Sequence, residues 1–208
     1  MADDPYAAFP AGFFDRSDPS DDARFYGPAR LVTHIDAGAI AAVGALYEEL
    51  EVEGRVLDLC SSWISHFRTA PTELIALGMN AEELAANPQA ARWVVHDLNA
   101  DPTLPFEDGE LDHAVCCVSV DYLVRPFEVF AEIARCLRPG GRFACTFSNR
   151  CFPTKAIRGW LATDDASHVR VVEEYFARTP GFVDVRSDER IPPGRGGDPL
   201  WAVWAERG

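Results

Sequence analysis

Apolar positions along this chain alternate between two periods. From Asp36, a suitable helix cap, "DAGAIAAVGALYEEL" puts Ile40, Val43, Tyr47 and Leu50 on one face at helical spacing, and Gly54 closes the segment. The run "RVLDLC" then reads as a buried strand, followed by a loop and helix, a short strand "ELIALGMN", a helix "AEELAANP" and a strand "RWVVHDL". A turn-rich stretch, "DPTLPFEDGELD", leads into the strand "HAVCCVSV". Pro126 opens the next helix, which carries Phe127, Phe130, Ala134 and Leu137 on one face and stops at "RPGG". "RFACTFSN" is another buried strand, helical patterns run over 155–178, and "FVDVRSDE" and "PLWAVWAE" finish as strands.

Strands that alternate with helices and are apolar almost throughout predict an α/β fold, a mostly parallel sheet covered by helices on both faces. The Pro-, Asp- and aromatic-rich residues 1–35 form an irregular lead-in that packs over the top, and 36–208 form the body of one domain. "PPGRGGDP" is a hairpin loop rather than a phosphate cradle, since no helix pattern follows it.

Composition narrows the choice of partner. A chain of 208 residues, 48% hydrophobic, can bury one sizeable core. Its 19 Lys and Arg against 33 Asp and Glu leave a formal charge of -14, which repels nucleic acid and anionic lipid, so neither is an expected partner. The six cysteines show no C-x-x-C spacing and the five histidines no H-x-x-x-H pair, so no metal site is expected. "MADDPYAAFPAGFFDRSDPSDD" lacks a basic region followed by an apolar stretch, and a cytoplasmic protein with reduced thiols is expected.

The order of "VLDL", "GMN", "VVHDLNADPTLPFEDGELDHAV" and "FAEIARCLRPGGRFACTFSN" resembles the class I S-adenosylmethionine-dependent methyltransferases, in the broad group acting on small molecules. The resemblance covers residues 37–207 and is most specific from Asp97 to Gly141. It implies a three-layer sandwich around a seven-stranded sheet whose last strand is antiparallel, with S-adenosylmethionine across the carboxyl ends of the first strands. Carried over by position, Asp58 ends the first strand, and Cys60, Ser61 and Ser62 lie under the methionine part. Met79 and Asn80 fall at the ribose, where the family usually has an acidic residue; Asp97 and Leu98 fall at the adenine, and Ser119 near the methyl group.

Two departures stand out. The family's turn is G-x-G-x-G, because glycine adopts positive φ and lets backbone approach a ligand; "CSSWIS" puts side chains there. Asn80 offers a neutral amide, a weaker acceptor than a carboxylate. Trp63 has two readings: an aromatic packed at the sheet edge, or a ring beside the sulfonium, worth ~0.5 to 2 kcal/mol.

Methyl transfer from a sulfonium needs alignment first and a base only for some acceptors. Polar clusters expected near the methyl group are Tyr26, Arg30 and His34 of the lead-in, Asp121 and Tyr122 after the fourth strand, and Asn149 and Arg150 after the fifth. Tyr26 and Arg30 are assigned to the cofactor; His34, Asp121, Tyr122, Asn149 and Arg150 are the acceptor-side candidates. Each has a bland counterpart: His34 as a local cap, Asp121 as a helix cap, Tyr122 as core cover. Lys155 is expected in solvent, Cys151 lacks a partner histidine, and His66 with the nearby serines lacks a G-x-S-x-G elbow. The expected activity is methyl transfer to a small-molecule acceptor. The alternatives are a non-catalytic module on the same fold and, less favoured without G-x-G-x-x-G, a dinucleotide-dependent oxidoreductase.

Overall fold

A computed structural model describes residues 4–194 and 196–208. Seven strands, β1 (Arg55–Leu59), β2 (Glu73–Gly78), β3 (Arg92–Val95), β4 (His113–Cys117), β5 (Arg142–Phe147), β6 (Phe182–Ile191) and β7 (Leu200–Arg207), form one sheet in the order β3-β2-β1-β4-β5-β7-β6. β1 pairs in parallel with β2 and β4, β2 with β3, and β4 with β5; β7 alone runs antiparallel to its neighbours β5 and β6. The expected sheet and its antiparallel last strand are therefore present. The "PPGRGGDP" stretch joins β6 to β7 as a hairpin connection, with Arg195 outside the described residues.

Alternate side chains of the central strands feed two cores. Val56, Leu74, Val115 and Ala144 join Val43, Leu46 and Tyr47 of the helix α2 (Ala37–Glu49) on one face. Leu57, Ile75, Cys116 and Phe143 meet the opposite layer, built by α4 (Pro126–Cys136) and α6 (Asp165–Ala177) through Phe130, Ile133, Val172 and Phe176. Burial on both faces explains the unbroken apolar runs of the sequence.

Helix expectations fare less evenly. No helix forms between β1 and β2, "AEELAANP" gives only the short α3 (Ala81–Ala85), and the pattern over 155–178 splits into α5 (Arg158–Leu161) and α6 where Asp164 caps the second. Ser61 and Ser65 bond sideways to Asp58 instead of leaving their segment free to coil, the usual way short polar side chains compete with a helix.

The lead-in is a strap over the carboxyl edge of the sheet; its residues 1–3 lie outside the described ones. Tyr6 stands edge-on to Phe127 at 4.8 Å between ring centres, and Phe9, Phe13 and Phe14 extend that cluster toward Tyr175. Gly159 is required beneath it, because a Cβ there would lie 2.2 Å from the Phe13 ring. The short helix α1 (Asp22–Tyr26) then crosses to the β2 side.

Lys155, expected in solvent, is instead wholly buried. Its Nζ lies 3.1 Å from Asp22 and 3.0 Å from Asp18 and donates to the Ser20 carbonyl at 3.0 Å. Both oxygens of Asp22 also accept from one guanidinium nitrogen of Arg16, Nη1, at 2.8 Å. Removing one partner of such a group strands the other charge. Lys155→Met is expected to lower stability by about 3–5 kcal/mol, read as a fall in the urea midpoint at unchanged slope.

Candidate functional site

The sheet reverses its winding between β1 and β4, so the connections leaving these strands diverge and open a crevice at their carboxyl ends. The turn after β1 forms its floor. Cys60 takes φ 52°, the left-handed region that a glycine enters freely and an L side chain does not. Ser61 then donates its N–H to the Leu77 carbonyl at 2.8 Å, and its own carbonyl sits so close to Gly78 that a Cβ there would be 2.1 Å away.

Asp58 clasps this turn. Its Oδ2 accepts from Ser61 Oγ and Ser65 Oγ, both at 2.6 Å, and Asn87 Nδ2 donates to Ser65 Oγ at 2.7 Å and to the Ser62 carbonyl at 3.1 Å. Burial nonetheless pushes the Asp58 carboxyl up to about 6, against the pull of the two serines. Side-chain hydroxyls thus hold a turn that would otherwise be held by glycine and a following helix.

Above the turn lies a cavity of about 490 Å³. It gathers, from five separate stretches of chain, Cys60, Ser61 and Ser62; Met79 and Asn80; Asp97 and Leu98; Ser119 and Tyr122; and Asn149 and Arg150, with Tyr26, Arg30 and His34 of the strap on top. Three candidates are placed elsewhere. Asp58 lies beneath the floor and borders only a smaller void of about 50 Å³ beside the turn. Trp63 borders the same small void and donates its indole N–H to the Val32 carbonyl at 3.0 Å, so it pins the strap and does not line the main cavity. Asp121 is 3% exposed, outside the cavity wall, with Oδ2 unpartnered.

The chemistry of the wall differs from end to end. Asp97 Oδ1 accepts from the N–H groups of Asn99 and Ala100 at 2.9 and 3.2 Å, and Oδ2 has no protein partner among the described residues. Leu98 beside it is buried. Asn80, by contrast, has committed its amide: Nδ2 donates to the carbonyls of Tyr26 and Gly27 at 2.9 and 2.8 Å, and Oδ1 caps α3 by accepting from Glu82 and Glu83 N–H. It faces the cavity as a strap anchor and not as a free hydrogen-bonding group.

At the other end, Arg30 lies over the Phe25 ring at 4.7 Å and donates to the Phe25 carbonyl at 2.7 Å. His34 meets the edge of Phe152 at 5.3 Å, and burial lowers its pKa, so a neutral imidazole is presented at pH 7. Tyr122 Oη accepts from the Phe152 N–H at 2.9 Å. Burial raises the hydroxyl pKa of both Tyr26 and Tyr122, which stay protonated. Asn149 and Arg150 stand at the exposed rim, with Arg150 Nε 3.9 Å from Asp198.

Sequence reasoning missed Glu83, Asp22, Asn99 and Phe152, all in the wall. Glu83 had a visible signal, since Asn80-x-x-Glu83 reads as a capping box; its carboxylate instead reaches Ser62 Oγ and the Arg30 N–H, both at 2.6 Å. Asp22, Asn99 and Phe152 had none, because nothing local shows that an Asp of the strap meets an Asn after β3. Among the described residues no group of three or more His, Cys, Asp or Glu is placed to hold a metal, and no helix is long and apolar enough to cross a membrane.

This sheet order, with a crevice at the carboxyl ends of β1, β2 and β4, is the class I methyltransferase architecture. Residues 57–145 match the family model described as a methyltransferase domain. Over those residues the chain is similar to that family, and its fold is the one found in solved S-adenosylmethionine-dependent methyltransferases. It is 30% identical over 158 residues to the biotin biosynthesis bifunctional protein BioHC of Cellvibrio japonicus, covering 71% of this chain but 31% of that protein, so it spans about a third of that relative. A SAM-dependent methyltransferase from Archaeoglobus fulgidus superposes with TM-score 0.59 at 14% identity, over 81% of this chain and 94% of that one. The [4+2]-cyclase SpnF superposes with TM-score 0.57 at 14% identity, over 78% of each chain. At such identities the likeness establishes the fold, and the cyclase shows that the fold is not tied to one reaction.

Asp121 makes a pH test of the local structure. Burial pushes its carboxyl up to about 8, so between about pH 4 and pH 8 the folded protein binds this proton more tightly than the unfolded chain. Its contribution to stability is present at low pH and is lost as pH rises through 8. Asp121→Asn cannot ionise; thermal melts at pH 5, 7 and 9 are expected to show its melting temperature gaining on the parent as pH increases.

Proposed function

We propose that this protein transfers a methyl group from S-adenosylmethionine to a small-molecule acceptor. The observation that carries the reading is that the crevice stays open beside Asp97 although its floor has no glycine. Its volume suits a ligand of cofactor size, and its wall mixes apolar side chains such as Leu77, Met79 and Leu98 with polar and charged ones such as Asp97, Ser119 and Asn149.

The donor, when bound, supplies an electrophilic methyl on a sulfonium, an excellent leaving group. The chain's own residues hold, orient and exclude water. Asp97 Oδ2, without a protein partner among the described residues, would accept from the adenine amino group, with Leu98 against the ring. Ser61, Ser62 and the backbone of Cys60 support the amino-acid portion, and Tyr26 and Arg30 close over it. The acceptor enters at the rim between the strap and the end of β5, meeting Ser119, Tyr122, Asn149 and Arg150. His34, neutral at pH 7 and on the cavity wall, would take the proton that a hydroxyl or ammonium acceptor releases. A thiol acceptor needs less help. The buried free thiols Cys116, Cys136 and Cys145 fit a reducing, cytoplasmic setting.

Two observations favour a second reading, a non-catalytic module: the committed amide of Asn80 and the strained turn at Cys60 depart from a cofactor loop. Calorimetric titration separates the two. Micromolar binding of S-adenosylmethionine and S-adenosylhomocysteine, with no heat from NADH, is expected. Asp97→Ala is expected to weaken both at least tenfold, about 1.4 kcal/mol, while the protein still unfolds in one cooperative transition. Absence of heat and of any thermal shift with either compound overturns the enzyme reading.

A further inference from the structure

We propose that the acceptor is a planar aromatic ring carrying an acidic group, stacked on Phe152 and held by Arg150; the inference rests on the methyltransferase reading above. Four rings line the cavity where the strap meets the end of β5: Tyr26 and His34 from the strap, Tyr122 after β4 and Phe152 after β5. Phe152 is their hub. Its ring centre lies 5.3 Å from that of His34, 6.0 Å from Tyr122 and 5.2 Å from Phe25 of α1. Its peptide N–H donates to Tyr122 Oη at 2.9 Å, so the backbone under the ring is fixed as well. Phe152 is nevertheless only half-buried and stands in the wall, which leaves ring surface to the cavity. An aromatic surface held in this way favours a flat, rigid ligand over a puckered one, because stacking then costs little reordering on either side.

Aromatic walls also attract cations, but here the chain supplies its own. The Arg30 guanidinium stands 4.7 Å from the Phe25 ring centre and 5.8 Å from that of Phe152, and Lys155 Nζ stands 5.6 Å from Phe25. A cationic acceptor would meet like charge at this end. The neighbouring carboxylates do not reverse the sign, since Asp22 is engaged by Arg16, Lys155 and Asn99, and Glu83 by Ser62 and the Arg30 N–H. Arg150 at the rim is 64% exposed, and its ion-pair partner Asp198 is distant at 3.9 Å. A guanidinium so loosely paired can turn to a ligand carboxylate and bind it through two parallel N–H bonds. The formal charge of -14 does not oppose this contact, because charges beyond a Debye length of ~8 Å are screened.

Three probes separate the ring from the charge. Para-hydroxybenzoate, its saturated-ring counterpart and tyramine are each titrated into protein saturated with S-adenosylhomocysteine. The parent is expected to bind para-hydroxybenzoate at least tenfold tighter than either of the others. Phe152→Leu is expected to bring the aromatic and saturated acids within about twofold of each other, and Arg150→Gln to cut the preference over tyramine at least about fivefold. Neither variant changes the affinity for S-adenosylhomocysteine by more than about twofold. A parent that binds S-adenosylhomocysteine but lacks either preference, or variants that keep both, overturns the assignment and leaves the donor reading standing. A parent that does not bind S-adenosylhomocysteine overturns the donor reading and this assignment with it. Should the leucine variant melt below the assay temperature, Phe152→Met, which keeps apolar bulk without a ring, gives the same loss, while Phe152→Tyr retains the preference.

Discussion

The site depends on one buried carboxylate. Asp22, 4% exposed, accepts from Arg16, lies against Lys155 and takes a bond from Asn99 Nδ2 at 3.0 Å. These partners come from the strap, from the segment after β5 and from the connection after β3. A carboxylate buried alone carries a heavy desolvation cost, and only this convergence of donors offsets it; burial presses its pKa upward, yet the bonds from Arg16, Asn99 and Lys155 leave it lowered. Asn99 extends the join by donating to the Tyr122 carbonyl and accepting from the Val124 N–H, so the segment after β4 is held by the same node. The roof, one wall and the acceptor rim of the cavity are thus mutually fixed.

Strain gathers where the floor has no glycine. Cys60, His66 and Val118 take φ of 52°, 51° and 44°, and all three border the small void beside the turn. Such conformations cost of order 1–3 kcal/mol each and persist only where surroundings over-determine them. Here Ser61 N–H is locked to Leu77, Val118 N–H to the Thr146 carbonyl at 2.7 Å, and the serines to Asp58. The strain is accordingly a feature of the edge of β1 and β4, the place where the cavity opens, and the buried Asp58 is what keeps the turn from relaxing.

Much of the architecture was legible because its signals are local and periodic. Apolar runs gave β1, β2, β4 and β5, and the face carrying Phe127, Phe130, Ala134 and Leu137 marked α4, since each strand is buried on both sides and each helix on one. The segment after β1 was misread as a helix because its serines find a partner, Asp58, which a pattern of hydrophobicity does not reveal. Among the candidate site residues, those at strand ends, such as Asp97, Ser119 and Tyr122, were recoverable, as the fold itself dictates that strand ends meet.

What the sequence determined by itself was the sheet, its two covering layers and the edge at which chemistry would be sited, all consequences of short-range periodicity and strand order. Which side chains are free to act was decided only by tertiary structure. Lys155 looked solvated and is buried, Asn80 looked available and is fully bonded, Trp63 was open between edge packing and stacking and is a pin for the strap, and Glu83 drew no notice and faces the cavity. The physical reason is common to all four. A polar side chain's role is set by the partners that satisfy it, and here each has a deciding partner 20 or more positions away along the chain, brought near only by the folded sheet and the strap over it.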